Sequence, residues 1–184
     1  MAENAVMKAI RERRSIRKYE ENPVPKEAID ELLSAATMSP SAMNRQPWDF
    51  IVVTDRKMIK ELSDRVKKQM RLVGYAQKYA ERFTGGEDLV FHSAPLLVLV
   101  TAPKDYEWAG LDCGILAQTM FLAAYSLGLG SCFIGFARML NKDGEALEML
   151  GVPPDREICA PLIFGYPAEK KEAPERKPKI AKRV

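Results

Sequence analysis

The chain has 184 residues, 28 Lys and Arg against 25 Asp and Glu, and a net charge of +3. This length suits one domain that buries about two-thirds of its unfolded surface. With 47% apolar and 29% charged residues it is not a disordered, collagen-like or low-complexity chain.

Asn4 is placed to cap a first helix with an apolar stripe of Val6, Met7 and Ile10. The stretch Arg11-Glu12-Arg13-Arg14-Ser15-Ile16-Arg17 follows. Pro25 suits the first position of a second helix, with Ala28, Ile29, Leu32, Leu33 and Ala36 on one face, which ends before Pro40. Ser39 to Pro47 reads as a polar loop, Asp49 to Thr54 as a buried strand, and Asp55 as the cap of a charged helix from about Lys57 to Ala80. Gly85-Gly86 marks a surface loop, and Leu96 to Val100 a second core strand closed by Pro103. Ala109 to Leu127 has the pattern of a buried helix stopped by Gly128. A short strand over Cys132 to Phe136 and a short helix over Glu145 to Leu150 follow. The last strand, Ile158 to Tyr166, contains Pro161, which suits an edge strand or a bulge. Beyond Pro167 lies a charged tail without a core-forming pattern.

The charge is unevenly spread. Residues 1–18 carry six Lys/Arg and two Glu, residues 169–184 seven and three, and the body between them fifteen basic and twenty acidic side chains. The apolar run Leu96 to Ala102, interrupted by Thr101, is far short of the roughly 20 residues a membrane span needs. The first residues lack the apolar core of a signal peptide, so the expected compartment is the cytoplasm. Cys113, Cys132 and Cys159 fit neither a disulfide framework nor a metal motif, and the single histidine, His92, argues against a zinc site or a His-based triad. His92 reads as structural and the cysteines as core thiols. Neither common nucleotide-binding glycine motif is present. Pattern alone gives a helix–sheet–helix sandwich with strand order open.

Three stretches could carry chemistry. Arg13, Arg14, Ser15 and Arg17 can converge on a phosphate, because guanidinium groups offer paired, charge-assisted donors. The same residues also suit a solvated helix end. The loop Ser39-Pro40-Ser41-Ala42-Met43-Asn44-Arg45-Gln46-Pro47-Trp48 can read the edge of a heterocycle, or can simply connect helix to strand with Trp48 in the core. Gly128-Leu129-Gly130-Ser131-Cys132-Phe133-Ile134-Gly135-Phe136 allows close backbone approach to a flat ligand, or a plain helix stop and turn.

Together and in this order the three stretches resemble the FMN-dependent nitroreductase family. The resemblance runs from R-R-S-I-R-K-Y at 13–19, through S-P-S-A-M-N-R-Q-P-W and the G-L-G-S unit, to G-Y-P and a late R-K-P at 176–178. It implies an α+β fold: a three-layer α/β/α sandwich with a mixed, largely antiparallel sheet, in an intertwined homodimer. Residues 1–168 would form one FMN-binding domain, with the tail 169–184 packed on the partner subunit and reaching FMN.

By the same resemblance, Arg13, Arg14, Ser15 and Arg17 address the phosphate, ribityl chain and pyrimidine edge. Pro40, Ser41 and Ala42 line the flavin from one subunit, and Asn44 reaches it from the other. Cys132, Phe133, Ile134 and Gly135 run along the ring with the Ile134 N–H facing N5, and Arg176 binds phosphate. Gln69 or Lys68 are candidates for a further contact that no motif fixes. Ile134 stands where many members carry an acidic residue. No metal and no catalytic side chain are expected, because the flavin carries the chemistry.

The implied activity is NAD(P)H-dependent, ping-pong reduction of nitroaromatic, quinone or similar acceptors, with NADH or NADPH as donor. Relatives of the same fold instead reduce enones, remove halogen from aromatics or fragment the flavin. Loops between about Val66 and Leu89 would discriminate among them. A nucleic-acid-binding module built on the basic ends is a third reading, but the acidic body and the lack of aromatic–basic interleaving oppose it. No nucleic acid and no membrane are therefore expected as partners.

Overall fold

In the strand Leu96–Pro103 (β2) almost every side chain is buried, and alternation sends successive residues to opposite faces. Leu96, Val98, Val100 and Ala102 join one core cluster, whereas Leu97 and Leu99 join another. A strand apolar on both faces must be covered twice, and that requirement generates three layers. The structure is a computed structural model that describes residues 4–74 and 88–183.

Helices Lys26–Thr37 (α2) and Ala109–Ser126 (α4) cover one face, through Leu32, Ala36, Leu116, Met120 and Ala124. Helix Arg56–Leu72 (α3), a 3₁₀ segment Gly135–Lys142 and the short helix Gly144–Met149 (α5) cover the other, through Leu62, Val66, Leu140 and Ala146. With strands Asp49–Val53 (β1), Gly130–Phe133 (β3) and Arg156–Gly165 (β4), the sheet order is β1-β2-β4-β3, every neighbour antiparallel. The mixed character comes from Ser15, which bridges Ser131 in the parallel sense along the outer edge of β3. Gly130 permits this, since a Cβ there would lie 2.9 Å from the Ile16 side chain.

The caps act as the sequence requires. Asn4 Oδ1 accepts from the Val6 N–H at 2.9 Å, and Asp55 Oδ1 from the Lys57 N–H at 2.7 Å. Elsewhere the structure differs from the sequence reading. Pro25 is the N-cap residue of α2, not its first helical residue, and that helix ends at Thr37. α3 ends at Leu72, because Val73 caps it and Gly74 turns left-handed at φ 72°. The predicted continuation to Ala80 and the Gly85-Gly86 loop lie outside the described residues. β3 begins at Gly130 and is already leaving the sheet at Ile134.

Pro161 sits in an interior strand, opposite Leu99, rather than on an edge. Within a strand, N–H and C=O point to the same side. The Pro161 carbonyl accepts from Ile134 toward β3, whose ladder ends at the Phe133–Leu162 pair. No donor is needed from Pro161 there, and the bulge that relieves the strand lies two residues earlier, at Cys159.

The stripe of helix Ala5–Glu12 (α1) is not in the core. Val6, Met7 and Ile10 are 60, 44 and 47% exposed, and only Ala9 is buried. Among the described residues no helix is long and apolar enough to cross a membrane.

Candidate functional site

The two basic ends meet. Residues 13–19 follow the sheet edge, and the chain after β4 returns beside them: Tyr19 bridges Pro167, and the Ala168 N–H donates to the Lys18 carbonyl at 2.9 Å. Glu169 Oε1 accepts the Arg17 N–H at 2.5 Å, and Lys171 Nζ donates to the Ser15 carbonyl at 3.0 Å. Arg14 Nε donates to the Glu172 carbonyl at 3.1 Å. The start of the tail is therefore held against its own chain, whereas the sequence reading had placed it on a partner subunit.

Between these segments and the middle of α4 lies a cleft of about 620 Å³. Its lining includes Arg13, Arg14, Arg17, Lys171 and Arg176, with Glu172 the sole acidic side chain. The Arg13 guanidinium rests over the Phe121 ring at 5.7 Å. Burial holds its pKa below the ordinary arginine value, and the neighbouring Arg14 and Arg176 charges lower it further. Arg13 Nε is buried without a hydrogen-bond partner. Cations crowded this closely, one with an unspent buried donor, suit a dianion of the phosphate-monoester kind. Ser15, half-buried, completes the rim.

The loop after α2 forms a second unit. It carries three non-glycine residues in the left-handed region, Met43 at φ 53°, Asn44 at 54° and Gln46 at 48°. Each costs roughly 1–2 kcal/mol unless its side chain bonds locally, so the shape must be imposed from outside. Ser41 Oγ accepts from the Gln46 N–H at 2.9 Å, and Arg156 Nη2 donates to the Pro47 carbonyl at 2.7 Å. The Ala42 N–H points at both oxygens of Asp112, 3.3 Å from each, and Tyr106 donates its hydroxyl to the same carboxylate at 2.7 Å. Trp48 is in the core, as the simpler reading of this stretch had it. The loop thus meets the first turn of α4 through Ala42, at Asp112, while the cationic cleft meets the helix at Gln118. Six helical residues separate these points, about 9 Å of rise. The structure gathers Arg13, Arg14, Ser15, Arg17 and Arg176 into one cleft and leaves the loop residues outside it.

The third stretch alternates. Cys132 and Ile134 are buried, at 2 and 5%, whereas Phe133 is 38% exposed and Gly135 is exposed. The Ile134 amide is engaged by the chain itself, donating to the Pro161 carbonyl at 2.9 Å. The expectation that this N–H faces a bound ring is therefore not met by this geometry. Burial pushes the Cys132 thiol up, against the nearby Arg17 charge, which leaves it protonated. All three cysteines are free and buried. His92 and Ser93 are also left-handed, in a turn held by Asp88, whose Oδ1 accepts from Ser63 Oγ, Val90 and Phe91. Lys68 and Gln69 lie on the last turns of α3, away from the cleft lining.

Sequence reasoning missed Lys171, Gln118, Asp112, Tyr106 and Arg156. Lys171 stands only two residues past Glu169 in a run of charges and bonds Ser15, 156 positions away, while Asp112, Tyr106 and Arg156 act through contacts 55 to 109 positions away that no local pattern displays.

Comparison with known proteins agrees with this geometry. The profile described as the nitroreductase family matches residues 10–166. A protein of Archaeoglobus fulgidus named as a candidate NADH dehydrogenase/NAD(P)H nitroreductase is 34% identical over 170 residues, 90% of this chain and 87% of its own. The FMN reductase [NAD(P)H] of Bacillus subtilis is 28% identical over 97% of this chain and 72% of its own. Among solved structures, a nitroreductase with bound FMN from Bacteroides fragilis superposes with a TM-score of 0.84 at 31% identity, covering 99% of this chain and 98% of that one. One from Desulfitobacterium hafniense, also with bound FMN, gives 0.85 at 27% identity over 99 and 100%. With the sheet, the R-R-S-I-R edge and the S-P-S-A-M-N loop all in place, the chain belongs to the nitroreductase family.

Proposed function

We propose that this chain, an FMN-dependent NAD(P)H oxidoreductase, works as a ping-pong, two-electron reductase of nitroaromatic, quinone or similar flat acceptors. The observation that carries the cofactor assignment is the cleft in which Arg13, Arg14, Arg17, Lys171 and Arg176 converge around an unpaired buried guanidinium N–H. FMN, when bound, supplies a ring that takes a hydride from a nicotinamide and releases electrons to an acceptor.

The chain's own residues bind, orient and neutralise. Arg13, Arg14, Ser15 and Arg176 hold the phosphate, and Lys171 adds a fifth cation to the cleft. Arg17, anchored through its backbone to Glu169, offers a mobile positive charge to the reduced ring. Phe133 at the end of β3 and Gly135 just beyond it present an accessible surface, alternating with buried Cys132 and Ile134. Pro40, Ser41, Ala42 and Asn44 supply a rigid polar wall. With the Cys132 thiol protonated and buried, no side chain of the site is assigned as an acid, and solvent supplies protons.

The site is completed in a homodimer. Support comes from the unpartnered apolar face: Val6, Met7 and Ile10 on α1, Leu111 and Ile115 one turn apart on α4, and Trp108 before it, all at least one-third exposed. A second copy covering this face would bring its own 39–47 loop toward the cationic cleft. Five cations of the two ends, Arg13, Arg14, Arg17, Lys171 and Arg176, line one concave cleft, which favours a compact phosphate over an extended nucleic-acid backbone.

Anaerobic stopped-flow spectroscopy on FMN-reconstituted protein tests the proposal. NADH or NADPH should bleach the visible flavin band, and a nitro or quinone acceptor, mixed afterwards, should restore it. A reconstituted protein that no reduced nicotinamide bleaches sinks the reading.

A further inference from the structure

We propose that Asp112 is a positioning residue: its buried carboxylate holds residues 41–46 in the shape that walls the flavin site, and Tyr106 holds the carboxylate. The inference rests on the flavoenzyme reading above and deepens it.

Asp112 is 2% exposed, and among the described residues it has no ion-pair partner. A carboxylate so placed is costly unless specific donors satisfy it. Among the described residues its donors are the Ala42 N–H, at 3.3 Å from each oxygen, and the Tyr106 hydroxyl, at 2.7 Å. Ala42 opens the 3₁₀ turn Ala42–Asn44, immediately before the left-handed Met43 and Asn44. The anchor therefore grips the loop where its backbone departs furthest from ordinary geometry.

Tyr106 grips it a second time. The Arg45 guanidinium lies over the Tyr106 ring at 5.5 Å, so one tyrosine touches the loop through its face and the anchor through its hydroxyl. Burial, and then the bond to Asp112, raise the Tyr106 pKa, which keeps the phenol a donor. At the far end Arg156 fixes the Pro47 carbonyl while pairing with Asp49 at 2.9 Å. The loop is thus clamped at both ends, and only the clamp at Asp112 lies beside Pro40, Ser41 and Ala42.

A merely structural role, as an acidic residue in the first turn of α4, predicts loss of melting temperature alone. Positioning predicts more. In FMN-loaded protein, Tyr106→Phe and Asp112→Asn should retain flavin, change its visible circular dichroism, and raise the KM for a quinone acceptor on the order of tenfold, with a smaller change in kcat. Asp112→Ala should be worse than Asp112→Asn, which keeps one acceptor oxygen of the same shape. Should Asp112→Ala fail to fold, Tyr106→Phe carries the test. Unaltered dichroism and unaltered acceptor KM in both Tyr106→Phe and Asp112→Asn overturn the proposal, whatever their melting temperatures. Wild-type protein that takes up no FMN overturns the flavoenzyme reading first, and this inference with it.

Discussion

Arg176 offers a clean perturbation of the cationic cleft. It is exposed, lines the cleft, and lies close enough to Arg13 to depress the pKa of that guanidinium. Replacing it with alanine removes a cation but no core contact, so the folded chain without cofactor should lose no stability. The loss should emerge only when a phosphate is present. A hydrogen bond to a charged group contributes about 1.5–3 kcal/mol. At about 1.4 kcal/mol per decade this corresponds to a rise in the FMN Kd of about tenfold to a hundredfold. Because the side chain is exposed, the lower part of that range applies at physiological salt, where charges are screened beyond about 8 Å. Fluorescence titration with FMN and, in parallel, with riboflavin is the assay. Riboflavin has no phosphate, so its affinity should be nearly the same for Arg176→Ala and wild type. Equal weakening of both ligands, or of neither, would refute the assignment of Arg176 to the phosphate.

Two further perturbations follow from the fold. A Cβ at position 165 would meet Pro95 Cδ at 2.6 Å and Tyr19 Cδ1 at 2.9 Å. Gly165→Ala should therefore destabilise by about 1–3 kcal/mol, an overpacking cost, and lower Tm by several degrees in a thermal melt. His92 is held below its ordinary pKa by burial and by the Arg17 charge, with Lys171 adding to this and Asp88 and Glu169 opposing it. The unfolded chain then binds the extra proton first, so stability should fall as pH drops below about 6.5, down to the folded pKa. Denaturant midpoints measured across that window should flatten in His92→Gln; an unchanged slope would remove His92 from the account.

Much of this was legible because the signals are local. Asn4 and Asp55 are capping residues at positions where helices start, and both cap. The run Leu96 to Val100 is short, rich in β-branched residues and apolar throughout, which suits a core strand covered on both faces, and all five side chains are buried. The R-R-S-I-R cations and the tail's Arg176 were readable as one group once their order matched a known pattern, and they line one cleft. What escaped depends on partners far along the chain. Pro161 reads as an edge residue because a proline lacks a donor, yet the donor is unnecessary where β3 has ended. The Ile134 amide has no local competitor in sequence, but folding brings the Pro161 carbonyl to it. The stripe on α1 signals a helix correctly without saying that Val6, Met7 and Ile10 stay exposed. Asp112, in a run of small and apolar residues, gives no hint that its carboxylate reaches Ala42, 70 positions earlier.

The stitching of residues 168–172 to residues 14–18 also sets an order of events. The bond from Arg17 to Glu169 spans 152 positions, and that from Arg14 to Glu172 spans 158. Contacts of such separation close nearly the whole chain into one loop, an entropic cost recovered only after the sheet between them exists. The cationic cleft is therefore among the last parts of the molecule to assemble and among the first to open. In hydrogen exchange, the amides of Arg17 and Ala168 should open together, well before those of β2, and bound FMN should slow both.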